Sequence, residues 1–174
     1  GITESGVMHT DADPPISLDT KFQMVKESGV YDYFDKTPPL ELEDDYRRCS
    51  EKYELPILAG GWFYVLGRDE DLLMENLRLG ARLGSLVHNT QIIMDHQDGS
   101  LVSDEQVVEI YLRAYETGEA CGCRPTFEVH VNMWSEDFQR IEKVADLVEK
   151  QGIPFRMTLD HSHVIFKIDN PREQ

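Results

Sequence analysis

The chain has 174 residues, enough for one domain with a buried core, and its 40% hydrophobic and 9% aromatic residues are ordinary for a globular protein. The formal net charge is −16, from 33 acidic and 17 basic side chains, and such a field repels phosphate backbones, so we expect no nucleic-acid partner. No apolar run approaches the ~20 residues needed to cross a bilayer, so we expect no membrane partner. Three cysteines, an odd number, do not suit a disulfide framework, so we expect reduced thiols and a cytoplasmic location.

Short apolar segments alternate with patterns of helical period along most of the chain. In chain order the predicted elements are a strand at 7–9, a helix at 17–28, a strand at 30–34, a helix at 41–53, a strand at 56–59, a helix at 69–83, a strand at 86–94, a helix at 103–118, a strand at 126–131, a helix at 136–150 and a strand at 155–159.

Local signals set several boundaries of these elements. Ser17, Ser103 and Ser135 each precede a helical pattern and are predicted N-caps. Gln106 completes a capping box with Ser103. The pair Gly60-Gly61 is expected to end the third strand.

A strand–helix–strand alternation of this kind is typical of a parallel sheet. The glycine-rich turns of dinucleotide-binding and P-loop folds are missing from the sequence. We therefore predict an α/β fold, a (β/α)8 TIM barrel of which about six β/α units are present. The chain is interpreted as a single domain over residues 1–174 whose C-terminal units lie beyond Gln174, with an open six-stranded α/β domain as the alternative.

The strand at 126–131 has an acid and a histidine on one face. Because side chains alternate along a strand, Glu128 and His130 lie on the side opposite Phe127 and Val129. That side faces the interior or mouth of a barrel, where a carboxylate must be paired, protonated or bound to a metal. A metal-ligand role for Glu128 is favoured, and a salt bridge to a lysine or arginine across the barrel is the alternative.

The last predicted strand ends in a second group of ligand-type residues, Asp160-His161-Ser162-His163. Asp160 and His163 converge if the chain turns after Asp160. A carboxylate with an imidazole suits Mn²⁺, Mg²⁺, Co²⁺ or Zn²⁺. For the two histidines, loop positions with hydrogen-bonding roles alone are the alternative.

Other strand ends supply candidates for contact with a substrate. Asp95 and His96 end the fourth strand, where a polar turn is the alternative. His9 ends the first strand and His130 the fifth. Trp62 and Trp134 follow strand ends, where aromatic rings either stack on sugars or pack on the core as lids.

The Glu128 strand, followed about thirty residues later by Asp160-x-x-His163, resembles the xylose-isomerase-like superfamily of sugar isomerases and epimerases. Four residues hold one divalent metal in that family: a Glu on strand five, an Asp on strand six, and a His and a Glu on strands seven and eight. The resemblance implies that Glu128 and Asp160 are the first two ligands, with Mn²⁺ preferred to Mg²⁺, Co²⁺ or Zn²⁺. It implies that His163 contacts substrate oxygens.

The activity implied by this resemblance is that of a metal-dependent isomerase or epimerase. Glu128 is the implied base, which removes a proton next to a carbonyl group. The implied substrate is a small-molecule sugar or glycoside, and we expect a homo-oligomer or a complex with another subunit.

Two features depart from the family pattern. The third and fourth ligands would lie beyond Gln174, and Trp134 stands where the epimerases have a second glutamate. The large subunits of C-glycoside deglycosidases, which share the barrel and cleave a 3-oxo-glycoside with a smaller β-rich partner, are therefore an alternative. A non-catalytic sugar-binding or assembly subunit and a different metal-dependent hydrolase are the others.

Overall fold

A computed structural model of the protein describes residues 1–7 and 15–167. Its strands form one sheet in which spatial order equals chain order, and every neighbouring pair is parallel. The strands are β1 (Ile2–Thr3), β2 (Phe34–Asp35), β3 (Ile57–Tyr64), β4 (Val87–Ile92), β5 (Arg124–Val129) and β6 (Met157–Leu159).

An α-helix follows each strand, and this regular alternation is that of a (β/α) barrel. The helices are α1 (Leu18–Ser28), α2 (Glu43–Tyr53), α3 (Glu70–Leu83), α4 (Asp104–Cys121), α5 (Phe138–Glu149) and α6 (His161–Lys167). The predicted fold class, a TIM barrel present in part, is confirmed. Within the described ranges, none of these helices has the length and apolar character needed to span a membrane.

Capping residues begin two helices as the sequence predicts. The Ser17 hydroxyl accepts a hydrogen bond from the Thr20 N–H at 3.1 Å, and Ser103 forms a complete capping box with Gln106. Ser135 does not cap α5, because it lies in the 3₁₀ turn Trp134–Glu136 and its hydroxyl bonds to β5 instead. The N-cap of α5 is Asp137.

The hydrophobic core lies between the sheet and the helices, in two clusters. The larger cluster joins β3–β6 to α3, α4 and α5, and the smaller one packs α1 and α2 on β2 and β3. Outward-facing side chains such as Tyr64, Ile92 and Phe127 supply the sheet's share of the larger cluster. The other face of the sheet is the inner face of the barrel, where a site is expected.

The first strand and the end of the third differ from the sequence-based prediction. The strand predicted at 7–9 is wrong at Val7, which belongs to the 3₁₀ turn Glu4–Val7, while Met8 and His9 lie outside the described residues. Gly60 and Gly61 do not end the third strand but lie within β3. At Gly61 a Cβ atom would lie 2.8 Å from the Asn89 carbonyl oxygen, so only glycine allows this close approach of β3 and β4.

Candidate active site

Strand register places polar side chains in rows across the inner face of the sheet. Asn89 of β4 is paired with Gly61 of β3 and Thr126 of β5, and Glu128 is paired with Thr158 of β6. The Thr126 and Thr158 hydroxyls are 2.7 Å apart. This part of the inner face is therefore hydrophilic.

Glu128 is the buried carboxylate of this face, with 8% of its surface exposed. Its Oε2 atom accepts a hydrogen bond from the Asn89 side-chain amide at 2.8 Å and another from the Gln91 side-chain amide. Within residues 1–7 and 15–167, no lysine or arginine forms a salt bridge with Glu128, so the salt-bridge alternative finds no support there.

Asp160 and His163 converge on Glu128 at the ends of β5 and β6. One ligand-type atom from each of the three residues lies within 4.8 Å of the other two. The turn that the sequence requires after Asp160 is the start of α6, which places both histidines of this segment on a helix. The structure thus brings together the two predicted metal ligands and the predicted substrate contact.

Hydrogen bonds hold Asp160 in its ionised form. The Ser162 hydroxyl and N–H donate to Asp160 Oδ1 at 2.6 and 2.8 Å. Both bonds lower the pKa of the Asp160 carboxyl, and the hydroxyl bond has the larger effect. Its Oδ2 atom lies 3.6 Å from His163 Nε2, and His163 Nδ1 is buried with no hydrogen-bond partner in the described part of the chain.

His130 flanks this cluster through its ring. The ring centroid lies 3.8 Å from that of His163, and Phe63 of β3 meets His130 edge to face at 5.9 Å. The Ser135 hydroxyl accepts from the His130 N–H at 3.2 Å and donates to the Glu128 carbonyl oxygen. Ser135 therefore ties the backbone of Glu128 to that of His130.

A further carboxylate adds negative charge to the inner face. Burial raises the pKa of Asp35, at the end of β2, and the nearby Glu128 carboxylate raises it further. Asp35, Glu128 and Asp160 together favour a cation over an anion at this end of the barrel.

Two other predicted contacts lie outside the cluster that Glu128, Asp160 and His163 form. Asp95 is exposed and paired with Leu101 in an isolated bridge, and His96 Nδ1 lies 3.1 Å from Asp98 Oδ1. Both belong to the polar turn in which Gly99 adopts a positive φ of 83°. A substrate role for Asp95 or His96 remains a prediction.

The two tryptophans occupy the outer side of the sheet. Trp134 is 1% exposed and part of the core, and its indole N–H faces Asp104 Oδ1 at 3.4 Å, so its ring has no face open to a sugar. The role predicted for Trp134 is corrected accordingly to one of packing. Trp62 lies on the face of β3 opposite Gly61 and lines a groove of about 470 Å³ with Leu72. His9 lies outside the described residues.

Sequence reasoning missed Asn89 and Gln91, which border the cluster on the inner face. The available signal was the run of four polar residues at 88–91 inside a predicted strand. A strand that is polar on both faces is unusual in a buried parallel sheet, where near-continuous apolar runs are typical.

Comparison with known proteins finds solved structures of similar fold. No protein-family model matches the sequence, and no curated protein matches it. Among solved structures, the 3-keto-D-glucoside 4-epimerase YcjR from E. coli matches at 13% identity and a TM-score of 0.67, over 90% of this chain and 68% of the epimerase.

Two further solved structures have the same architecture. An AP endonuclease of family 2 from Brucella melitensis matches at 11% identity and a TM-score of 0.61, over 97% of this chain and 86% of its own. The IolI protein, solved with a bound zinc atom, matches at 15% identity and a TM-score of 0.58, over 80% of this chain. This chain spans 57% of the IolI chain.

Sequence identities of 11–15% establish a shared fold and nothing finer. At the level of the fold, the comparisons agree with the resemblance to the xylose-isomerase-like superfamily that the Glu128 and Asp160 motifs indicate. Residues 1–7 and 15–167 have the (β/α)-barrel fold of these solved structures, with six strands in the sheet.

Proposed function

We propose that this chain carries part of the active site of a divalent-metal-dependent sugar isomerase or epimerase. The observation that carries the proposal is the convergence of Glu128, Asp160 and His163 within 4.8 Å at the carboxyl ends of β5 and β6. In barrels of this kind, chemistry is located at that end of the strands.

The residues present fit a divalent cation. Two carboxylates and an imidazole are the ligand types that Mn²⁺ and Zn²⁺ accept. The buried Nδ1 of His163 is a further polar atom that no described residue hydrogen-bonds. Glu128 and Asp160 are the residues that would hold the ion, with His163 beside them. A cation bound there supplies a Lewis acid that polarises a carbonyl group. The zinc atom of the IolI structure supports a metal of this class.

Glu128 is the proposed base of the reaction. Its Oε2 atom is occupied by two amide donors, whereas Oε1 has no hydrogen bond within the described part of the chain. A proton removed from the carbon next to a carbonyl group would therefore pass to Oε1. Burial of the carboxylate limits competition from water for this atom.

The proposed substrates are sugars with a carbonyl group, and the E. coli epimerase, named for a 3-keto-D-glucoside, suggests which to try first. The test uses the full-length protein, freed of metal with a chelator and reloaded with Mn²⁺ or Zn²⁺. Ketohexoses and 3-keto-glucosides are incubated with it in deuterated water, and deuterium at the carbon beside the carbonyl is followed by NMR.

Metal-dependent exchange is expected in the wild type and is expected to be lost in Glu128→Gln and Asp160→Asn. Glu142→Gln, which changes an exposed glutamate on α5, is the matched control and should exchange normally. The proposal fails if the wild type binds neither metal, or if Glu128→Gln exchanges deuterium as fast as the control.

A further inference from the structure

The clearest unassigned feature of the inner face is the amide pair beside Glu128. We propose that Asn89 and Gln91 are positioning residues, which hold the Glu128 carboxylate by Oε2 and so orient it towards the proposed metal site. This inference rests on the proposed metal site. It assigns to two residues of β4 the task of orienting Glu128, which neither Asp160 nor His163 performs.

The geometry behind the pair comes from strand alternation. Asn89 and Gln91 are two residues apart on β4, so both side chains project from the inner face of the sheet towards β5. Both side-chain nitrogens donate to the same atom, Glu128 Oε2, with a distance of 2.8 Å for Asn89. Two donors on one carboxylate oxygen fix both the rotation of the group and which oxygen remains available.

The chemical type of the donors matters for a metal ligand. A lysine or arginine in this place would neutralise the carboxylate and compete with a cation for it. Side-chain amides donate hydrogen bonds without adding charge. Glu128 is therefore oriented while its full negative charge remains available to a metal.

The pair is poorly suited to a purely structural role. Asn89 Oδ1 and Gln91 Oε1 are buried and have no hydrogen-bond partner among residues 1–7 and 15–167. A buried amide with one half unsatisfied destabilises a fold relative to an apolar side chain of similar shape. Amides at these two positions are explained by what they do for Glu128, since the stability of the sheet does not require them.

Strand β4 also offers a matched control. Thr90 lies between the two amides, is 1% exposed and faces the opposite side of the sheet. Its hydroxyl is likewise buried without a partner, so Thr90→Val removes an unsatisfied polar atom from the same strand without touching Glu128.

The experiment titrates Mn²⁺ into the metal-free, full-length wild type, Gln91→Met, Asn89→Leu and Thr90→Val, using calorimetry. We expect Mn²⁺ to bind about 10- to 100-fold more weakly to each amide variant, the usual effect of removing a group that orients a metal ligand. Thr90→Val should bind as the wild type does. Thermal unfolding of the metal-free proteins is measured in parallel. Each amide variant keeps one of the two donors to Glu128, so its melting temperature should fall only by the few degrees that one lost hydrogen bond costs.

Three results would overturn the inference. Equal Mn²⁺ affinity in the wild type and both amide variants removes the positioning role and leaves the metal site intact. A large fall in the melting temperature of both metal-free amide variants assigns the pair to stability. A wild type that binds no Mn²⁺ or Zn²⁺ refutes the proposed site itself, and the role of the pair with it.

Discussion

Replacing Glu4 by glutamine should destabilise the protein in a pH-dependent way. The Glu4 carboxylate receives hydrogen bonds from the Lys21 ammonium at 2.7 Å and the Tyr46 hydroxyl at 2.8 Å, and the Lys36 ammonium lies 3.0 Å away. Burial alone would raise the pKa of Glu4, but these three groups outweigh it and lower the pKa from 4.5 to about 2. The network joins the first turn of the chain to α1, α2 and the end of β2.

The size of the effect follows from the linkage between protonation and folding. One pKa unit corresponds to about 1.4 kcal/mol, so a pKa near 2 sets a ceiling of about 3 kcal/mol. The charged side chains of Glu4, Lys21 and Lys36 keep 16 to 26% of their surface exposed, and solvent screening reduces this ceiling to about 1–2 kcal/mol. Because the pKa is lowered in the folded state, this contribution is complete above pH 4.5 and disappears as the pH falls towards 2.

Urea denaturation of wild type and Glu4→Gln at pH 7, pH 5 and pH 3.5 measures this contribution. The difference in free energy of unfolding should be largest at pH 7 and should shrink at pH 3.5. Glu51→Gln, at an exposed position on α2, controls for the loss of one negative charge. A difference that is the same at all three pH values, or absent at pH 7, would refute the reasoning.

Three further changes test the inner face and the core. Asp35→Asn should raise the melting temperature at pH 7 but not at pH 3, because the raised pKa of Asp35 means that folding disfavours its charged form, and that penalty is absent once the group is protonated in both states. Trp134→Ala should lower the free energy of unfolding by about 3–5 kcal/mol in urea denaturation, since the ring is fully buried. An unchanged urea midpoint would contradict the packing role of Trp134 and favour a substrate contact. Gly118→Ala should lower the melting temperature although alanine favours helices, because the new Cβ would lie 2.5 Å from the Cys123 carbonyl oxygen and 2.6 Å from Pro125 Cδ.

Periodicity and local signals predict most of this fold. The five predicted helices all form, and the capping box at Ser103 forms as its residues require. The meeting of Glu128 with Asp160 also follows from the sequence, because side chains alternate along a strand and parallel strands end at one edge of the sheet.

The missed features depend on geometry that spacing along the chain does not encode. Strands β1 and β2 have only two residues each, which is too short for a hydropathy pattern to locate them. Trp134 turns into the core because a 3₁₀ turn follows β5, and hydropathy alone does not distinguish such a turn from a helix start. The hydrogen bonds of Gln91 to Glu128 depend on the register of two neighbouring strands.

The link that Ser135 makes to β5 also separates two functions along this segment. Ser135 binds the carbonyl of Glu128 and the amide of His130, so the strand end is secured before the chain reaches α5. The side chain of Asp137, which caps α5, takes no part in that constraint. A loop inserted between Glu136 and Asp137 can therefore reshape what the mouth of the barrel recognises while the carboxylate keeps its place, which makes this peptide bond a natural point for engineering or evolutionary variation of specificity.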